Sequence, residues 1–257
     1  MKDISQRRQF AFVVQQLTMR EIKRKYARSY LGIVWSVLNP LLSMSVLSLI
    51  FSQLFRRSIE NFPIYYLTGY LLWQTFTGAT TAAMTALADN KMLLLKVKFP
   101  MDLFILTRVY TALVNLGYSL VAYSVLLLVF RITPKWAMLI SPLILLFLTA
   151  FSLGISYILA TAAVFFGDIR HLYSVFLTLW MYCSAIFYPA EQLEGVIQVV
   201  IRNNPLYAYI HCLREAVLYG QFPVFGDWIR MIVWSAGICG LGYWIFRKNR
   251  VRILQKL

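Results

Sequence analysis

Long uncharged apolar runs alternate with short charged clusters along most of the chain. Each run is close to the roughly 17–25 residues that a helix needs to cross a bilayer. We therefore predict an all-α integral membrane protein with six transmembrane helices. The predicted spans are residues 31–55, 63–88, 103–130, 136–166, 172–188 and 228–246.

The segment before the first span has a different pattern. Phe10, Val13, Val14 and Leu17 recur at the spacing of one helical face, and basic residues surround that face. The segment carries too much charge to cross a membrane. We predict an amphipathic helix that lies in the headgroup plane on the cytoplasmic side, within residues 1–28.

The stretch before the last span also departs from the simple pattern. Residues 193–202 and 206–219 have a helical pattern, and Asn203-Asn204-Pro205 separates them. Each helix is too short to cross a bilayer. They are predicted to be re-entrant or interfacial helices on the extracytoplasmic side.

These segments are predicted to form one domain, residues 1–257. Its parts are the interfacial helix at 1–28, spans one to five within 29–188, the short helices within 189–227, the sixth span at 228–246 and a basic cytoplasmic tail at 247–257.

Composition supports the membrane interpretation and orients the chain. Hydrophobic residues make up 60% of the chain and charged residues 14%, whereas soluble domains are roughly 45–50% apolar. The net charge of +15 comes from basic residues that flank apolar runs, which indicates contacts with lipid headgroups and no nucleic acid. Eighteen of the 25 Lys and Arg residues lie on the side of both termini, so the positive-inside rule predicts that both termini are cytoplasmic.

The sequence lacks the residues and motifs that several classes of transporter and enzyme require. Inside the predicted spans the sequence has almost no ionisable residue, and Arg108 lies about one turn from the cytoplasmic end of its span. This pattern argues against coupling to protons or sodium. It has no G-x-x-x-x-G-K-[ST] phosphate loop, no paired acidic metal motif, and no metal spacing among its three cysteines. We predict that the chain is not an enzyme and binds no metal or cofactor, so another polypeptide must supply energy for uphill transport.

Aromatic residues make up 16% of the chain, and two faces of them allow two interpretations. They could form the interfacial belt of a membrane protein, or they could line a path on which sugar rings slide. The candidate path residues are Trp35, Tyr66, Tyr70, Trp73, Tyr173, Phe176, Trp180 and Phe187.

A basic cluster before the first span also has two interpretations. Lys23, Arg24, Lys25 and Arg28 could anchor the helix to lipid phosphates, or they could recognise a phosphorylated lipid headgroup that enters beside the span. Gly32 allows a sharp turn or close backbone approach where the surface helix becomes the first span.

Residues 23–41 resemble a known signature. They match the pattern basic-Tyr…Ser-x-Leu-Gly-x-x-Trp-x-x-Leu-x-Pro-Leu of bacterial polysaccharide and teichoic-acid export permeases, which are membrane subunits of ABC-2-type exporters. Further matches are Lys98-Phe99-Pro100, Asn204-Pro205-Leu206 and Arg214-Glu215-Ala216. The resemblance covers essentially the whole chain.

The resemblance implies a homodimer paired with two copies of an ATP-binding subunit, which would hold ATP and Mg. It implies a substrate built on a polyprenyl-pyrophosphate carrier, such as O-antigen, capsule or teichoic acid, in the bacterial cytoplasmic membrane. An ABC-2-type exporter of drugs or small lipids is the alternative within this class, and a channel, a scaffold or a membrane transferase is the alternative outside it. The residues expected to dock the ATPase are Asp89, Lys91, Lys96, Lys98, Asp168 and Arg170.

Overall fold

The computed structural model describes residues 2–27, 29–54, 61–96 and 100–256, and this part of the chain forms ten α-helices and no strand. The helices are α1 (Lys2–Tyr26), α2 (Trp35–Leu54), α3 (Phe62–Asp89), α4 (Lys91–Lys96), α5 (Asp102–Val129), α6 (Ser141–Phe165), α7 (Ile169–Tyr182), α8 (Gly195–Asn203), α9 (Pro205–Arg214) and α10 (Phe225–Lys256). Single 3-10 turns occupy Gly32–Val34, Trp136–Ile140 and Ala190–Gln192, and a π-helical turn follows α9 over Glu215–Tyr219.

The all-α prediction is confirmed, but the count of six spans is not. Three helices in the described residues are long and apolar enough to cross a membrane, namely Asp102–Val129, Trp136–Phe165 and Phe225–Lys256. Of the other three predicted spans, α3 has 28 residues, but its six Thr, three Tyr and single Gln lower its hydropathy. The helix α2 has 20 residues, and α7 has only 14.

The basic tail predicted at residues 247–257 is not a separate segment, because α10 continues without a break to Lys256. Ile253 is fully buried in a cluster with Leu87, Met101 and Phe104. The Lys256 ammonium donates to the backbone oxygen of Phe165 at 3.2 Å. The end of α10 is therefore packed against the bundle and not free in solution.

The helix α3 lies at the centre of the molecule, in contact with α2, α5, α6 and α9. Apolar side chains such as Phe76 and Leu72 are buried along it. Its threonines satisfy their own hydroxyls by donating to the preceding turn, as Thr80 does to the oxygen of Phe76 at 2.8 Å. Polar residues can therefore be buried in α3 without losing their hydrogen bonds.

The helices α6 and α10 meet where both lack side chains. A Cβ atom on Gly154 would lie 2.4 Å from the backbone oxygen of Ile238, and one on Gly242 would lie 2.2 Å from the backbone oxygen of Gly154. Two glycines thus let the helix backbones come into direct contact, as small residues do between membrane helices.

At the end of the bundle away from α4, the two predicted short helices are present as α8 and α9. Asn204 caps α9, since its side chain accepts from the Leu206 amide at 3.0 Å, and Pro205 occupies the first turn. The Asn204 side-chain amide also donates to the backbone oxygen of Cys183 at 2.8 Å. Asn204 therefore fixes α9 to the end of α7.

Arg214 is buried at the same end of the bundle, with 2% of its surface exposed. Its guanidinium donates to the backbone oxygens of Tyr65, Ala185 and Ile186 at 3.2, 2.9 and 2.9 Å. It also stacks on the Tyr65 ring at 3.5 Å. Arg214 thus ties α3 to the turn that follows α7.

Candidate functional site

A cavity of about 610 Å³ lies between α1, α2, α3 and α5. Its lining follows α3 from Leu71 to Asp89, which is about 27 Å at the rise of an α-helix. The cavity therefore runs from the end of α3 next to α4 far into the bundle.

Charged side chains gather at the α4 end of the cavity. Helical spacing places Arg20 with Arg24, and Glu21 with Lys25, on adjacent turns of α1, and all four line the cavity. Arg108 of α5 lies among them, with only 17% of its side chain exposed. With Asp89, the lining carries four cations against two carboxylates.

One guanidinium joins three helices at this end. Arg108 of α5 contacts Glu21 of α1 at 3.2 Å and Asp89 of α3 at 2.6 Å. The Thr111 hydroxyl donates to the second oxygen of Glu21 at 3.1 Å, and the Thr85 hydroxyl donates to Asp89 at 2.7 Å. We call Glu21, Arg108 and Asp89 the ion cluster.

Burial changes the acidity of Glu21. It raises the pKa of this carboxyl group above the ordinary value, and the positive charge of Arg108 opposes the rise. The ionised form of Glu21 is therefore less favourable in the folded protein than in water, even with its ion pair.

Further along the cavity the lining is uncharged but polar. Gln74 of α3, and Thr111, Asn115 and Ser119 of α5, contribute amides and hydroxyls to it. The side-chain oxygen of Asn115 is buried and accepts no hydrogen bond within the described residues. This part of the lining can therefore exchange hydrogen bonds with a polar ligand.

The residues predicted to bind a headgroup are only partly brought together. Arg24 and Lys25 line the cavity, whereas Lys23 is exposed on α1 and is not part of the lining. Arg28 lies outside the residues that the structure describes. Gly32 has a φ of +50° at the start of the 3-10 turn that leads into α2, a conformation that suits glycine.

Several residues predicted to line a glycan path are packed inside the bundle. Tyr66 is 1% exposed and stacks on Tyr70 and Phe187, with ring centroids 5.2 and 5.6 Å apart. Trp73 is 6% exposed and lies against Phe76. These rings stabilise the contacts of α3 and do not line the cavity.

The predicted path residues on α7 also form structural contacts. The Tyr173 hydroxyl donates to the Thr80 hydroxyl at 2.8 Å, and the Trp180 indole donates to Asn204 at 2.8 Å. Phe176 is half exposed and lies between them on the same face, with its ring centroid 6.2 Å from that of Tyr173 and 4.9 Å from that of Trp180. Among the eight predicted aromatic residues, all of which the structure describes, only Trp35 lines the cavity.

The residues predicted to dock an ATPase fall into two groups. Lys91 and Lys96 are exposed on α4, and Asp168 and Arg170 are exposed at the turn between α6 and α7. Asp89 instead belongs to the ion cluster. Lys98 lies outside the described residues.

Sequence reasoning missed most of the polar lining. Glu21 is one charge among many on an amphipathic helix, and Arg108 lies near the end of a predicted span. Gln74 and Asn115 give the clearest signal, because amide side chains are uncommon in the middle of apolar spans. Arg214 falls within the predicted helix 206–219 and a family motif, but the sequence does not reveal that it is buried.

Comparison with known proteins places the chain in a family. The ABC-2 type transporter family matches residues 13–218. The O-antigen export system permease protein RfbA of Myxococcus xanthus is 34% identical over 200 residues, which cover 77% of each chain. A protein of the same name from Klebsiella pneumoniae is 28% identical over 94% of this chain and 93% of its own.

A more distant relative is the polysialic acid transport protein KpsM of Escherichia coli, which is 24% identical over 80% of this chain and 81% of its own. The family match covers most of the chain, from α1 to the π-helical turn after α9. This chain therefore belongs to the ABC-2 type transporter family.

Proposed function

We propose that this chain is the membrane permease of an ATP-driven exporter that moves polyprenyl-pyrophosphate-linked polysaccharide across the bacterial inner membrane. Relatives named for the export of O-antigen and polysialic acid align with most of its length. The observation that carries the proposal is the cavity, which has cations at the α4 end and uncharged polar groups beyond them.

The cavity lining suits such a substrate chemically. A pyrophosphate carries two or more negative charges, and the lining has four cations against two carboxylates. Arginine grips phosphate oxygens with two donors at once, whereas lysine acts as a point charge. The amides of Gln74 and Asn115 are able to exchange hydrogen bonds with sugar hydroxyls deeper in the cavity.

The fold suits the topology expected of a permease. We propose that α2, α3 and α7 cross the bilayer together with the three longer apolar helices, so that α1, α4 and the end of α10 lie on the cytoplasmic side. The exporter would be a homodimer with two copies of an ATP-binding subunit that holds ATP and Mg. The exposed Lys91 and Lys96 and the turn at Asp168 and Arg170 would contact that subunit, and shielding of a cysteine at Lys91 by it tests this contact.

Export measured in cells tests the proposal. In a strain that lacks its own copy of the gene, the variant carrying both Arg24→Gln and Lys25→Gln should export at least about tenfold less lipid-linked polymer than the wild type, since charge-assisted hydrogen bonds are lost. Lys23→Gln is the matched control, because Lys23 lies beside them on α1 but outside the cavity lining. It should export normally.

The same strains decide between the proposal and its rivals. Unchanged export by the double variant at a normal membrane level would remove Arg24 and Lys25 from substrate recognition. Unchanged surface polysaccharide after deletion of the gene would overturn the proposed function. A change confined to sensitivity toward small amphiphiles would favour an exporter of drugs or small lipids.

A further inference from the structure

The ion cluster holds the α4 end of the cavity together through a single residue. Arg108 contacts carboxylates from two other helices, Glu21 of α1 and Asp89 of α3, and all three side chains line the cavity. Hydroxyl groups of Thr111 and Thr85 position the two carboxylates. A change at Arg108 would therefore remove both ion pairs and leave the Thr111 hydrogen bond to hold Glu21 at this point.

Not every hydrogen-bond donor of the ion cluster has a partner within the described residues. The Nε atom of Arg108 is buried and has no hydrogen-bond partner in the described part of the chain. Two carboxylates share one guanidinium, with Arg20 the next cation that acts on Glu21. Burial raises the pKa of Glu21 despite Arg108, so the ionised carboxylate is held there against the cost of losing water.

We propose that Glu21, Arg108 and Asp89 form a latch that ties α1 to α5 and α3 at the α4 end of the cavity until a phosphate group displaces the two carboxylates from Arg108. The ligand follows from the proposed function, on which this inference rests. A pyrophosphate at the end of an isoprenoid chain has the charge and the geometry to take Arg108, because its oxygens would meet the unused Nε donor as well as a terminal nitrogen.

The latch works by competition between anions. Negatively charged phosphate and carboxylate oxygens repel one another strongly when they contact the same guanidinium. Binding of the headgroup to Arg108 therefore requires Glu21 and Asp89 to leave. Arg24 and Lys25 line the same cavity and supply positive charge to the arriving headgroup. Loss of the contact between Glu21 and Arg108 then loosens α1 from α5 and widens the α4 end of the cavity.

Affinity for a short probe tests the latch with the full chain in lipid nanodiscs. Farnesyl pyrophosphate binding is measured by calorimetry, and each variant is first checked for wild-type elution and thermal midpoint. Glu21→Gln and Asp89→Asn should each tighten binding by at least about fivefold, the lower end for coupled sites. Arg108→Lys should weaken it, because lysine lacks the forked donor.

Charge-neutral variants separate a latch from simple repulsion. Thr111→Val and Thr85→Val keep every charge but remove the hydroxyls that hold the two carboxylates. A latch predicts that each tightens binding about two- to tenfold, the value of one hydrogen bond. Thr178→Val is the matched control, because its hydroxyl donates to Ser174 on the exposed side of α7. It should bind as the wild type does.

The outcomes separate this inference from the proposed function. Tighter binding by Glu21→Gln without any effect of Thr111→Val and Thr85→Val would mean static repulsion and would overturn the latch. Equal binding by Arg108→Lys and the wild type would also overturn it, while the exporter function stands. Absence of binding to the wild type would remove both the latch and the proposed headgroup site.

Two further ligands identify the source of the phosphate. Farnesol, which has the isoprenoid chain without the charge, should leave the affinities of all variants equal. Inorganic pyrophosphate should show the same ranking of variants as farnesyl pyrophosphate, but with weaker binding, if the ligand is a lipid headgroup. Equal affinity for the free and the lipid-linked anion would point to a soluble phosphate and overturn the lipid-linked version of the latch.

Discussion

Glu21 illustrates how one residue can be kept in an unfavourable place. It lies on the boundary between the interfacial helix and the bundle, where it meets Arg108, Thr111 and Asp89. A carboxylate that served only to fasten α1 would be expected to gain from ionisation. Burial instead outweighs the ion pair and raises the pKa of Glu21.

This pKa shift predicts how stability depends on pH. Because the folded protein binds the Glu21 proton more tightly than the unfolded chain does, the contribution is present at low pH and is lost as the pH rises through the folded pKa. Glutamine does not ionise, so the Glu21→Gln variant does not lose this stability as the pH rises. The thermal midpoint of the variant, relative to the wild type, should therefore rise between pH 4.5, the ordinary pKa of glutamate, and neutral pH.

The comparison is made between variant and wild type at each pH, so that other titrating groups cancel. The conservative control is Glu194→Gln, since Glu194 is exposed on the far side of the molecule, away from the ion cluster. A midpoint for Glu21→Gln that falls relative to the wild type at neutral pH would show that the ion pair outweighs burial.

Residue roles were predictable only where a local pattern defines them. The basic run on α1 correctly drew attention to Arg24 and Lys25, which line the cavity. The spacing of Tyr66 and Trp73 placed them on one face but could not tell whether that face meets lipid, a cavity or other helices. The ion cluster was invisible to sequence reasoning, because its members lie on three separate helices.

At the scale of elements, the packing of α6 on α10 depends on the absence of two side chains. The backbones meet at Gly154 and Gly242, which leaves no room for a methyl group. We expect Gly154→Ala to destabilise the protein by about 1–3 kcal/mol, the usual cost of overpacking a tight contact. The measurement is the thermal unfolding midpoint in detergent or nanodiscs.

Two other glycines of α10 are the control positions for this measurement. Gly237 and Gly240 lie on α10 with nothing within 4 Å of an added Cβ atom. Alanine there should leave the midpoint unchanged or raise it, because alanine is the better helix former. A Gly154→Ala variant as stable as Gly240→Ala would show that the two backbones are farther apart than the structure places them.

Element boundaries were predictable where apolar length defines them, as for α5, predicted at residues 103–130 and found at Asp102–Val129. The helix α7 is shorter than predicted because the chain turns after Tyr182. Ala185 adopts a φ of +47° there, and Arg214 binds its backbone oxygen. This distant hydrogen bond stabilises the turn, and no pattern within residues 172–188 reveals it.

For the whole molecule, the distribution of charge implies a direction across the membrane. The α4 end carries the ion cluster, the exposed lysines of α4 and the basic end of α10, whereas the opposite end carries α8 and α9. The positive-inside rule then predicts that α4 lies on the cytoplasmic side. An ATP-binding subunit, as proposed above, would dock on that side.

Cysteine labelling tests this orientation and the docking surface together. The background replaces Cys183, Cys212 and Cys239 by alanine, and full export by this background shows that it is intact. Single cysteines are then placed at two exposed positions, Lys91 on α4 and Glu194 before α8. Lys91 is preferable to its neighbour Asn90, whose side-chain amide donates to the backbone oxygen of Ala86 at 2.8 Å.

In intact cells an impermeant thiol reagent should label the cysteine at Glu194 and leave the cysteine at Lys91 unlabelled, because the membrane separates them. In inside-out vesicles the pattern should reverse. Vesicles that also contain the ATP-binding subunit should label more slowly at the cysteine in place of Lys91 than vesicles without it, since a docked protein covers α4.

Labelling of that cysteine in intact cells would invert the topology and remove α4 from any role in coupling. Equal labelling with and without the subunit, in vesicles of the expected orientation, would remove the docking role alone.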